Sequence, residues 1–172
     1  MEDCRNFISE HTFRLRAPTY SDKYPIWPGT VGLEIESLPL TGVDFNRTVN
    51  LNSDSGSSLT SSLAKIGQQK DWQPNIETYA NPEGITKKLT TTIKLEDKDN
   101  LSFEPGGQLE HSTIPYPCLS DAARRVRRIQ TFLDQALADE LSLKLKGIGI
   151  NPYHSVEEIG LQMDKKRYIA MN

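Results

Sequence analysis

The chain has two cysteines, Cys4 and Cys118, among 172 residues. That is too few for a disulfide framework, and their spacing fits neither a zinc site nor a redox pair, so both are expected to be free thiols. Long apolar runs are also missing. No stretch approaches the length of a membrane span, and the opening Met1-Glu2-Asp3-Cys4-Arg5-Asn6 is charged where a signal peptide would turn apolar. A cytoplasmic protein without a membrane partner is therefore expected. Nor does charge of one sign dominate: 20 Lys+Arg against 23 Asp+Glu give a net charge of −3. The field of such a chain would not gather nucleic acid, and no nucleic-acid partner is expected. No internal repeat or low-complexity linker divides the chain, which leaves one domain or a piece of a larger one. The 36% hydrophobic content lies above that of disordered chains, so a core should form.

What is present is mostly strand. Residues 1–29, with Pro18, Pro25 and Pro28, read as an arm leading into the first strand. From Thr30, Val31, Leu33 and Ile35 alternate with Gly32, Glu34 and Glu36, a period of two that puts Glu34 and Glu36 on one face. The polar stretch Asn50 to Ser58 supplies a serine N-cap to a short helix carrying Leu59, Leu63 and Ile66, which Gly67 helps to end. Trp72 to Leu95 reads as two strands around Asn81-Pro82-Glu83-Gly84, and Asp97-Lys98-Asp99-Asn100 turns the chain into a further strand at Leu101 to Glu104. Such short connections require antiparallel pairing, because a parallel pair needs a long crossover. The strongest helix follows Pro115-Tyr116-Pro117, with Ser120 as N-cap and Ala122, Val126, Ile129, Leu133, Ala136 and Leu137 as its apolar face, continuing to about Leu145. Gly147 to Pro152 reads as a short strand and a turn. The fold class is α+β, an antiparallel sheet with flanking helices.

Two segments carry the chemistry. In Gly32-Leu33-Glu34-Ile35-Glu36 two carboxylates lie about 7 Å apart along one side of a strand. Unpaired carboxylates are costly to bury, whereas a hard cation such as Mg2+ prefers oxygen ligands and often sits between carboxylates and phosphates. In Phe103-Glu104-Pro105-Gly106-Gly107-Gln108-Leu109-Glu110, a proline without a backbone donor and two glycines free to take positive φ suit a bend into a site, flanked by Glu104 and Glu110. A third, weaker signal is the basic cluster Met163-Asp164-Lys165-Lys166-Arg167-Tyr168, where Arg167 offers a two-pronged contact to carboxylate or phosphate.

In this order and separation, these segments, with Gly149-Ile150-Asn151-Pro152, resemble the glutamate-cysteine ligase family of the plant and bacterial type, including its ergothioneine-pathway relatives. The Glu-Pro-Gly-Gly-Gln-x-Glu element is the specific one. The resemblance implies ATP-dependent formation of γ-glutamylcysteine from L-glutamate and L-cysteine, the first step towards glutathione, on a sheet like that of glutamine synthetase. Carried over, Glu34, Glu36, Glu104 and Glu110 are the candidate Mg2+ ligands, Glu104 and Glu110 the candidate catalytic residues, and Gln108 and Arg167 candidates for contact with substrate or the co-substrate ATP. Residues 30–172 would be the N-terminal part of the catalytic domain, since family members run on past this last motif. His111-Ser112-Thr113 stands where the family commonly has Leu-Ser-Gly, and Met163-Asp164-Lys165 where it often has Met-Pro-Lys; neither departure removes a proposed ligand.

Blander readings cover other features. Arg124, Arg125, Arg127 and Arg128 read as a solvated helix face, and His111 as a neighbour of the site rather than a ligand. His11, His111 and His154 are too far apart in sequence for a local zinc motif. Two rival functions stay open: a carboxylate-amine ligase with another amine acceptor, and a non-catalytic binding module.

Overall fold

Alternating side chains build one antiparallel sheet, and two amphipathic helices cover its apolar face. The computed structural model describes residues 30–49, 51, 58–80, 86–148 and 150–163. Strand β1 (Glu34–Thr41) is followed by the short β2 (Arg47–Thr48), helix α1 (Leu59–Gln68), strands β3 (Gln73–Ala80), β4 (Thr86–Lys94), β5 (Asn100–Phe103) and β6 (Leu109–Ser112), the long helix α2 (Leu119–Leu141), strand β7 (Lys144–Lys146) and a one-turn helix α3 (Val156–Ile159). The sheet runs β2-β1-β6-β5-β4-β3, with β7 also paired to β1. β3 to β6 are successive hairpins, each strand beside its neighbour in sequence. Among the described residues no helix is long and apolar enough to cross a membrane.

Period-two alternation decides which face of the sheet is buried. Ile93 on β4, Leu101 and Phe103 on β5 and Leu109 on β6 are all but fully buried, and they pack with Leu59 and Leu63 of α1 and Ile129, Leu133 and Leu137 of α2. Each such side chain contributes about 1.5–3 kcal/mol by leaving water. α1 begins where Ser58 was expected to cap it: the Ser58 hydroxyl accepts from the Ser61 N–H, and the Ser61 hydroxyl accepts from the Ser58 N–H. Gly67 does more than weaken the helix end. A Cβ there would lie 2.9 Å from Trp72 Cβ, so its absence lets Trp72 pack against the last turn.

Several expectations need correction. The first strand starts at Glu34 rather than Thr30; Val31 forms an isolated bridge to Tyr116, and Leu33 bonds Thr113. The N-cap position of helix α2 is Cys118, without a side-chain cap bond, not Ser120, whose hydroxyl lies 2.9 Å from the Cys118 sulfur; Asp121 occupies the first turn. The same helix ends at Leu141 rather than near Leu145, because Ser142 takes the left-handed conformation (φ 52°) and reverses the chain. Leu143 and Leu145 are then buried while Lys144 is exposed. That strand periodicity makes β7, which pairs with Leu38 to Leu40 of β1. The strand expected at Gly147 to Pro152 therefore lies earlier, while the turn is present: Asn151 Oδ1 accepts from the N–H groups of Tyr153 and His154.

Candidate functional site

The face of the sheet opposite the helices carries the acidic residues. Register sets Glu36 of β1 directly across from Glu110 of β6, and Glu110 across from Ser102 of β5, which faces Thr92 of β4. The next row along reads Glu34, Ser112, Asn100 and Lys94. Directly opposite residues on adjacent strands have Cβ atoms about 5 Å apart, so Glu36 and Glu110 are a cross-strand acid pair with Glu34 beside them. Like charges placed this way repel each other. Glu34 and Glu36 are exposed, with no hydrogen bond or ion pair to another described residue. Towards its C-terminal end β1 changes character: Leu38 and Leu40 follow on the same face and are buried, which confines the polar region to the first half of the strand.

Glu110 is held in place. Its Oε1 accepts hydrogen bonds from Ser102 Oγ at 3.1 Å and Ser112 Oγ at 2.8 Å. The second oxygen has no hydrogen-bond partner among the described residues.

Glu104 sits where β5 leaves the sheet. Its backbone N–H donates to Gln108 O and its carbonyl accepts from the Gly107 N–H, both at 3.0 Å, closing the expected bend around Pro105-Gly106-Gly107. Gly107 has φ 88°, a conformation that favours glycine. At Gly106 a Cβ would lie 2.7 Å from Gln108 Oε1; the missing side chain gives the Gln108 amide room to fold back over the turn. Gln108 Oε1 is buried without a hydrogen-bond partner among the described residues, an acceptor left for a donor yet to be supplied. Sequence reading missed the anchor of this turn. Gln162 donates its N–H to Pro105 O, and its side chain bonds Leu51 N and Ile159 O, so one residue ties the bend to two other segments. Nothing in the sequence marks it out.

The structure thus brings Glu34, Glu36 and Glu110 to one face and Glu104 and Gln108 to the adjoining hairpin end. Among the described residues no three His, Cys, Asp or Glu side chains converge closely enough to hold a metal. Arg167 lies outside the described residues, as do residues 1–29 and all of the basic cluster except Met163, which is buried in the core.

His111 requires a correction. Although adjacent in sequence to Glu110, it points to the opposite face and is fully buried, with Nε2 3.2 Å from Asp99 Oδ2. Arg125 is likewise no part of a solvated face: it is 5% exposed, its Nε donates to the same Asp99 oxygen at 2.7 Å, and its Nη1 lies 2.6 Å from Asp97 Oδ2. The Ile114 N–H donates to the other Asp99 oxygen at 3.0 Å. Burial pushes the Asp99 carboxyl up, but hydrogen bonds from Arg125, Ile114 and His111 outweigh it and hold the group below the usual carboxylate range. Burial, aided by the Arg125 charge, holds His111 below the usual histidine value against the pull of Asp99. A neutral His111 beside an ionised Asp99 carries its proton on Nε2 and donates it to the carboxylate. The signal for Arg125 was available: Ala122, Arg125, Ile129, Leu133 and Leu137 form one buried helical stripe, and Arg125 occupies a core position of it.

Among known proteins, the sequence model of one family, described as glutamate-cysteine ligase family 2, matches residues 30–172. No curated protein matches the chain.

Proposed function

This chain belongs to glutamate-cysteine ligase family 2, a family of carboxylate-amine ligases, and from that premise we propose that it joins the γ-carboxylate of L-glutamate to the amine of L-cysteine at the expense of ATP. The observation that carries the reading is the acid pair Glu36–Glu110 on an open sheet face, beside the Glu104–Gln108 turn. In the proposed reaction the glutamate side chain attacks the terminal phosphoryl group of ATP, giving γ-glutamyl phosphate and ADP. The cysteine amine then attacks the acyl carbon and phosphate leaves.

Carboxylate oxygens suit Mg2+: Glu34, Glu36 and Glu110 share one face and Glu104 lies at the adjoining hairpin end, and Mg2+ would be held by one or two of these carboxylates together with substrate phosphates rather than by a cage of protein ligands. Bound Mg2+ supplies charge neutralisation for the phosphates. The protein's own part is positioning. Ser102 and Ser112 fix the Glu110 carboxylate, and the Gln162-anchored turn presents Glu104 and the Gln108 amide to substrate. Arg167 contributes a contact to nucleotide or amino acid.

The test is ADP release by the natural full-length protein with ATP, Mg2+ and glutamate, with and without cysteine, beside Glu104→Gln. Cysteine-dependent release that the variant and EDTA abolish supports the ligase. Release with a different amine keeps the chemistry and overturns the acceptor. Silence with every amine from a folded protein replaces the ligase with a binding module.

A further inference from the structure

The polar face extends beyond the acidic residues. From Glu34 on β1 the row crosses Ser112 on β6 and Asn100 on β5 to reach Lys94 on β4. The parallel row from Glu36 crosses Glu110 and Ser102 to Thr92. Between the acid end and Lys94 the side chains are therefore only short hydroxyls and one amide, with no apolar residue. Lys94 is exposed between the buried Ile93 and Leu95, so its stem leaves the sheet on the polar face. It makes no ion pair or hydrogen bond with another described residue. A second lysine flanks the acidic end, Lys146 on β7 opposite Leu38, but its ammonium is engaged by the Tyr153 hydroxyl at 3.1 Å and lies over that ring. Helices α1 and α2 pack on the other face and leave this one open among the described residues.

We propose that Lys94 is the anion anchor of this platform, binding a carboxylate or phosphate oxygen of a substrate whose reacting end lies at Glu36 and Glu110. The inference rests on the ligase reading above and adds a residue to it. Two strand spacings and one two-residue step set the Cα atoms of Lys94 and Glu110 about 12 Å apart. Side chains stand roughly perpendicular to a sheet, so the Lys94 and Glu110 tips can lie from a few Å apart, leaning together, to about 12 Å apart, both upright, a span that includes an amino acid or a short polyphosphate. A ligand bridging it would meet cation-seeking oxygens at one end and an ammonium donor at the other, with Ser112, Asn100, Ser102 and Thr92 as hydrogen-bonding floor. Two anionic groups present this chemistry, the α-carboxylate of the amino-acid donor and the phosphates of the nucleotide.

Full-length wild type, Lys94→Met, Lys94→Arg and the charge control Lys65→Met on the helix side are compared by substrate titration of ADP release and by calorimetric binding of ATP and of glutamate. The expected result is at least a fivefold rise in KM and a matching loss of calorimetric affinity for one substrate in Lys94→Met. Lys94→Arg should stay within threefold of wild type, with melting temperatures and Lys65→Met unchanged. A change confined to glutamate identifies the α-carboxylate, and one confined to ATP identifies the phosphates. If wild type binds both substrates and Lys94→Met binds them within twofold of it, the assignment of Lys94 is overturned while the ligase stands. If wild type binds neither, the ligase reading is overturned and this one with it.

Discussion

Replacing Arg125 by methionine takes a guanidinium out of a cluster that is almost wholly buried. Asp99 is 0% exposed and Arg125 5%, so water cannot replace the lost partner without opening the space between α2 and the β4–β5 turn. Removing one member of a buried pair costs about 3–5 kcal/mol, because the other charge is left behind. Asp99 would keep its bonds from Ile114 N–H and His111, and Asp97, 47% exposed, can turn to solvent. Those compensations place the expected cost at the lower end, about 3 kcal/mol. Against a typical total of about 5–15 kcal/mol, that is a large share. Urea unfolding at pH 7.5, followed by tryptophan fluorescence, should show the midpoint falling by about 1–3 M with unchanged slope. Asp99→Asn combined with Arg125→Met should cost clearly less than the two single changes added together, since neither partner then leaves an unpaired charge. The acid limb adds a second readout. Asp99 and His111 both titrate below their ordinary values, so the unfolded chain takes up protons first as pH falls. Wild-type stability should therefore decline from about pH 6.5 through the folded-state His111 pKa, and again below about pH 3.8 as Asp99 protonates. Arg125→Met should lose much of the second decline, having lost the main bond that lowers Asp99. A midpoint shift equivalent to less than about 1 kcal/mol, the net worth of an ordinary hydrogen bond, would refute the reasoning.

Gly67→Ala should destabilise despite the better helix propensity of alanine, because its Cβ meets Trp72 Cβ at 2.9 Å; a cost of about 1–3 kcal/mol appears as a melting temperature lower by several degrees. The Cys118 thiol is held below its ordinary value, first by its hydrogen bond with the Ser120 side chain and then by the Ser120 N–H, so Ser120→Ala should slow iodoacetamide labelling of Cys118 at pH 7. Mass spectrometry locates the label, and equal rates in the two proteins would sink the idea. Ser102→Ala with Ser112→Ala removes both donors to Glu110 Oε1. It should raise the Mg2+ concentration needed for half-maximal ADP release several-fold while leaving the melting temperature nearly unchanged.

The readable parts of the sequence were those fixed by local rules. Ser58 capped its helix, β3 to β5 followed from alternation and short turns, and Glu34 and Glu36 fell on one face because a period of two leaves no choice; β6, and with it the place of Glu110 on that face, came from register. The matched family adds the class of chemistry, which register alone does not supply. What local rules missed was set by partners distant in the chain. Lys144 to Lys146 read as a helix end because lysines suit one; its pairing with β1, about a hundred residues earlier, decided otherwise. Arg125 read as surface because arginine usually is, and the buried Asp99 that draws it inward sits on another element. His111 looked like a neighbour of the site by sequence proximity, yet one residue along a strand is the opposite side of the sheet. Lys94 drew no notice because only the assembled register aligns it with Glu34.

Strand β1 has a divided partnership: its first half pairs with β6 and its second with β7 and β2. The β3–β6 hairpins close loops of a few residues and can form early, whereas β1 must wait for partners roughly seventy and a hundred residues away, contacts whose closure entropy slows folding. Glu104 and Glu110 therefore come together at an early stage, on a hairpin that lacks Glu34 and Glu36. The acid pair is completed only when β1 has met β6, so an incompletely folded molecule holds half of the platform, and the cation proposed between opposing strands would find one strand alone.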